Sequence, residues 1–86
     1  MPEISRFFGI VVAMYYNDHA PPHLHAKYGG HKIKIDVANG SVLEGSFPNR
    51  ALALLNEWRV LLIAELQADW VLLMARHPLN KIEPLE

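Results

Sequence analysis

From Ile10 to Tyr16 the chain is β-branched, aromatic or otherwise apolar, with no Gly or Pro, which predicts a strand whose two faces are both at least partly covered. For Ile4 to Phe8, Gly9 leaves two readings open, a hairpin between two strands or a bulge that bends one continuous strand. The loop Asn17-Asp18-His19-Ala20-Pro21-Pro22 then stops the strand with two Asx residues and a stiff proline pair. His23 to Tyr28 and His31 to Val37 each alternate with period two, and Gly29-Gly30 between them suits a two-residue turn. That turn pairs Tyr28 with His31, Ala26 with Ile33 and Leu24 with Ile35 on one mainly apolar face. His23, Asp36, His25, Lys34, Lys27 and Lys32 share the other. A three-residue loop Ala38-Asn39-Gly40, with Gly40 left-handed, leads into a short strand from Ser41 to Gly45 and sets Leu43 beside Ile35 and Glu44 beside Lys34.

A helical pattern opens at Pro48, runs from Asn49 to about Arg76, and is stopped by Pro78. One straight helix of that length would span about 40 Å, far longer than strands of five to seven residues, so a break is expected near Leu66 to Asp69. The first half is apolar at Ala51, Leu52, Leu54, Leu55, Trp58, Leu61, Leu62 and Ile63, a broader arc than one sheet can cover, and the surplus predicts a second chain against it. The tail Lys81 to Leu85 contains Pro84 and reads as an edge strand or an extended arm. The expected fold class is α+β: an antiparallel β-meander of three to five strands over about 4–45, two α-helices packed on one face over about 48–77, and an arm over 78–86.

At 86 residues the chain holds one domain, 1–86, with one core. Asn56, Glu57, Arg59, Glu65, Gln67, Asp69 and Arg76 interrupt the apolar stretch at helical intervals, which argues against a membrane span. The first residues lack the layout of an export signal, so a cytoplasmic location is expected. Eight basic against nine acidic residues, a formal charge of -1, exclude a basic grip over the whole surface, so any phosphate contact must come from local clustering. The absence of cysteine excludes a disulfide framework, a Cys-based zinc knuckle and a thiol nucleophile. No P-loop, dinucleotide glycine fingerprint, nucleophile elbow or His-Glu-x-x-His helix is present.

What remains is histidine chemistry. Asp18, His19, His23 and His25 fall within eight residues, and His23 and His25 project from the same strand face, where two imidazoles can converge on one ion or phosphate. With His19 or Asp18 as a third donor, His23 and His25 can hold a divalent metal such as zinc, and Asp36 opposite His23 can fix its tautomer. Without metal, Asp18, His19, His23 and His25 suit proton transfer, with Lys27, Lys32 and Lys34 stabilising charge on a bound phosphate, as in RNA cleavage. Against both stands a structural reading, in which the histidines bond a proline loop and the lysines are a solvated sheet face. His31 and His77 read as structural, His77 as a charge near a helix C-terminus. Tyr15, Tyr16, Tyr28, Trp58 and Trp70 read as core or interface.

The stretch Met1 to Ile10, the string Tyr15-Tyr16-Asn17-Asp18-His19-Ala20-Pro21-Pro22-His23-Leu24-His25-Ala26-Lys27-Tyr28-Gly29, and Ile35-Asp36, Leu43-Glu44-Gly45, Pro48, Arg50-Ala51-Leu52, Glu57-Trp58, Trp70 and Ile82-Glu83-Pro84-Leu85 resemble the bacterial family called domain of unknown function 4160. Its signature falls on Asp18, His19, His23 and His25. The resemblance implies a small bacterial or phage-borne protein, often encoded beside another small domain of unknown function, 2442, in a candidate toxin-antitoxin pair. It implies that neighbour as a partner; the apolar surplus adds a second copy of the chain, alone or beside that neighbour, and the histidine chemistry adds RNA as a target and a histidine-dependent nuclease as the activity. The alternative is a non-catalytic interaction or metal-binding module. Val60-Leu61-Leu62-Ile63-Ala64 is more apolar than the family's usual mid-helix and suits a partner surface.

Overall fold

A computed structural model describes residues 3–86; Met1 and Pro2, where the resemblance and the expected domain begin, lie outside the described residues. Five strands form one antiparallel sheet in sequential order: β1 (Glu3–Phe7), β2 (Ile10–Ala13), β3 (His23–Tyr28), β4 (His31–Asp36) and β5 (Val42–Gly45). Two helices follow, α1 (Asn49–Leu61) and α2 (Ile63–Met74). The chain is therefore α+β, as its patterning predicts.

The β3–β4 hairpin has the predicted register, from His23 opposite Asp36 to Tyr28 opposite His31, with Leu24, Ala26, Ile33 and Ile35 all buried. Gly9 serves a hairpin: Phe8 and Gly9 both have positive φ and join β1 to β2. The β2 strand is shorter than its apolar run, ending at Ala13, because Asp18 closes the chain into a turn, its amide donating to the Tyr15 carbonyl at 3.0 Å. In β5, Glu44 pairs with Lys34 as expected, but Val42 and not Leu43 opposes Ile35, since the register slips between Lys34 and Ile35. Gly40 takes the predicted left-handed conformation.

The helix breaks at Leu62, earlier than the expected Leu66 to Asp69. Residues 49 to 74 in one straight helix would be about 39 Å long, whereas the molecule's longest dimension is 33 Å. Bending at Leu62 keeps Ala51, Leu55 and Trp58 of α1 and Leu66, Trp70 and Leu73 of α2 in one core with the sheet. Trp58 is fully buried, stacks 5.1 Å from Phe7, and donates its indole N–H to the Glu83 carbonyl. The tail is an extended arm: Ile82 donates its amide to Ile4 and so covers the β1 edge, with Ile82 and Leu85 buried. No helix among the described residues is long and apolar enough to cross a membrane.

Asp69 on α2 is 1% exposed; its Oδ1 accepts from the Asn80 amide and its Oδ2 has no partner among the described residues. Burial raises its pKa, so between the ordinary carboxylate value and that raised value the folded state binds more protons than the unfolded one. Stability from this group is present at low pH and is lost as pH rises through the raised value. Asp69→Asn keeps the acceptor for Asn80 and removes the buried charge. Its melting temperature is expected to exceed that of the wild type at pH 7, by a margin that narrows toward pH 4; an equal or lower value at pH 7 would contradict this.

Candidate functional site

The site is assembled by the end of β3 and the loop that precedes it. Alternation along β3 sends His23 and His25 to the same side of the sheet. The turn at Tyr15 to Asp18 folds the Asp18 carboxylate back toward them, its Oδ2 lying 3.3 Å from the Tyr15 amide. One oxygen then serves both rings: Asp18 Oδ2 is 3.1 Å from His25 Nε2 and 3.3 Å from His23 Nε2. One donor atom from each of Asp18, His23 and His25 lies within 4.8 Å of the other two.

The His23 tautomer follows from its other nitrogen. Nδ1 is 2.8 Å from the Pro21 carbonyl, which can only accept, so Nδ1 carries the proton. In the neutral ring Nε2 is then a bare lone pair. It is buried and makes no aligned hydrogen bond among the described residues, although the Asp18 oxygen is near. Two electron-rich atoms 3.3 Å apart repel unless positive charge lies between them, supplied by a proton or by a cation. Asp36, expected to fix this tautomer, does not: its Oδ1 accepts from the amides of Ala38 and Asn39 and shapes the next turn.

Expected on an open face, His23 is instead only 5% exposed, because Trp70 of α2 packs over it with ring centres 5.2 Å apart. Tyr15 meets the His25 ring edge-on at 4.5 Å, and the two imidazoles lie 5.3 Å apart. Burial is the largest influence on His25 and lowers its pKa, against the opposing pull of Asp18, so the ring is held toward the neutral form that binds metals. Trp70 lies in the core cluster, as its residue type predicts, and there it also covers His23. Nothing local in the sequence links Trp70 to a strand some 45 positions earlier.

The other candidate residues surround this cluster. His19 is exposed, outside the three-residue group, and lines the clefts on both sides of its loop. Lys34 is half-buried, its Nζ 3.6 Å from the exposed Glu44 carboxylate, and it lines a cleft of about 300 Å³ with Asp18, His19 and His23. Lys27 and Lys32 face each other across the hairpin, both exposed, and Lys32 lines a cleft of about 150 Å³ with His25 and Lys34. His31 is exposed at the turn; His77 is exposed beyond α2, its carbonyl accepting from the Tyr16 hydroxyl.

Two imidazole nitrogens and one carboxylate oxygen match the donor set of catalytic zinc sites and of the two-His-one-carboxylate centres of other divalent metals, which keep positions open for water or substrate. A family model described as Domain of unknown function (DUF4160) matches residues 9–71, a span that holds Asp18, His19, His23, His25 and Lys34. No curated protein and no solved structure matches the chain.

Proposed function

The chain belongs to the DUF4160 family, and from that premise we propose that Asp18, His23 and His25 hold a divalent first-row transition metal, zinc foremost, in a site that hydrolyses phosphodiesters, with RNA the favoured substrate. The observation that carries this reading is the single Asp18 oxygen placed against two imidazole Nε2 atoms, one of them buried with no aligned partner. A cation bound there would supply Lewis acidity and lower the pKa of a coordinated water. The chain's own groups would do the rest. The Pro21 carbonyl and Trp70 orient His23, and Asp18 neutralises charge. Lys34, beside the cleft, meets a phosphate oxygen, and the exposed His19 is the group able to pass protons to and from substrate. In the hydrolysis a water oxygen bonds to phosphorus, the ester P–O bond breaks, and the leaving oxygen takes up a proton.

In the cell this activity fits a toxin-like component whose small partner is encoded nearby, and a cytoplasmic setting. Val60, Leu61, Val71 and Met74, large apolar side chains left exposed on the helices, are available to such a partner or to a second copy. The test combines cleavage of a labelled RNA by purified protein, with zinc and with chelator, and growth on induction with and without the neighbouring gene. Zinc-dependent cleavage that Asp18→Asn abolishes is the expected result. Intact RNA at every metal tested, together with normal growth, would overturn the reading.

One observation favours a second, non-catalytic reading. His23 is buried and bonds the proline loop, so the cluster can instead be a structural clamp; the response of stability to zinc separates the two.

A further inference from the structure

Beyond the residues already placed in the site, we propose that Arg76 binds a phosphate of a phosphodiester chain, in a cleft that shares Asp18 and His19 with the cleft lined by Lys34. The inference rests on the reading of the Asp18 cleft as the substrate side. A cavity of about 360 Å³ lies between the loop and the end of α2, lined by Tyr16, Asp18, His19, Leu73, Met74 and Arg76. It shares Asp18 and His19 with the cleft that reaches His23 and Lys34. Arg76 and Lys34 therefore line two neighbouring clefts that have Asp18 and His19 in common. A single phosphate occupies one cleft, whereas a chain of phosphodiesters can reach into both.

Two further observations bear on Arg76. The only carboxylate on its cavity is Asp18, already engaged by His23 and His25, and among the described residues the Arg76 guanidinium has neither an ion pair nor a hydrogen bond. Its backbone has φ of 60°, just past the end of α2, where its amide donates to Leu73 and that of His77 to Leu72. Glycine is the usual residue at such a helix end, since a side chain there is strained. An arginine held in a costly conformation, unpaired, on the wall of a cleft points to a ligand, and its planar fork suits phosphate oxygens.

Binding of a labelled single-stranded RNA oligonucleotide, measured by fluorescence anisotropy in chelator so that metal plays no part, tests this with Arg76→Gly and Arg76→Lys. Arg76→Gly is expected to bind about tenfold more weakly, with the slope of log affinity against log salt shallower by about 0.7. Relief of strain is expected to raise its melting temperature by about 4 °C at the same time. Arg76→Lys is expected to keep part of the affinity without the thermal gain. Wild-type binding with an unchanged Arg76→Gly overturns this proposal alone, and a lower melting temperature in Arg76→Gly assigns the arginine a structural role instead. Inorganic phosphate competing as well as the oligonucleotide, phosphate for phosphate, overturns the chain in favour of a single phosphate. A wild type that binds no oligonucleotide overturns it together with the RNA reading, while zinc cleavage of another ester would leave the metal site standing.

Discussion

Zinc at about a hundredfold its dissociation constant is expected to stabilise the protein by about 2.7 kcal/mol, a rise of roughly 10–20 °C in melting temperature for a domain of this size. Asp18→Asn and His25→Gln are expected to abolish both this rise and the cleavage of RNA. The size of the effect is set by the ratio of free zinc to its dissociation constant; the affinity would come from the buried His23 Nε2 and the Asp18 oxygen 3.3 Å away, which a cation would hold together. The histidines are expected to differ without metal. His25 is half-buried, and its replacement by Gln is expected to cost less than about 1 kcal/mol, as at other accessible positions. His23→Gln strands the Pro21 carbonyl and is expected to cost about 1 to 3 kcal/mol. Scanning calorimetry with and without zinc checks all of these. A wild type that does not respond to zinc, with His23→Gln still strongly destabilised, would retire the metal reading in favour of the structural clamp.

Replacement of Trp70 by Ala is expected to cost about 3–5 kcal/mol, a large share of the 5–15 kcal/mol that holds a typical domain together. Trp70 is 6% exposed, lies in the core cluster, and covers the His23 ring, so its loss opens a cavity and wets the site from behind. Trp70→Phe keeps an aromatic face over His23 and is expected to cost less and to retain the zinc response. Urea unfolding of both variants, with zinc titrated into whichever remains folded, is the measurement. A loss below about 1.5 kcal/mol for Trp70→Ala, or a zinc response that survives it at full size, would show that α2 does not hold the site in shape.

Several features were legible in the residues because they depend on neighbours in the chain. The β3–β4 register follows from period-two alternation on both sides of Gly29-Gly30, and a slip of one residue would bury Lys34 and expose Ile35. The shared face of His23 and His25 follows from the same alternation, and the loop stop at Asn17 to Pro22 from local turn chemistry. The helix break was legible as a need but not as a place. The apolar stripe runs through Leu62 without a gap, and the bend falls where Leu55 and Trp58 before it and Leu66 and Trp70 after it join one core.

What tertiary structure decided is the character of the histidines. Alternation put His23 on the solvated face of the sheet. Its burial comes from Trp70, brought over it by the path of α2, and its tautomer from the Pro21 carbonyl and not from Asp36 across the strand. Which third residue joins His23 and His25 was open between Asp18 and His19, neighbours in one loop; the turn at Tyr15 directs Asp18 inward and leaves His19 in solvent. Arg76 had no signal beyond interrupting the helix, because its left-handed backbone and the cavity beside it arise only where α2 ends against the loop. The sequence by itself determined the sheet register and the residues available for chemistry, since both depend on local period and residue type. The fold alone decided which of those residues meet and which are dry, because contact and burial arise between segments distant in the chain.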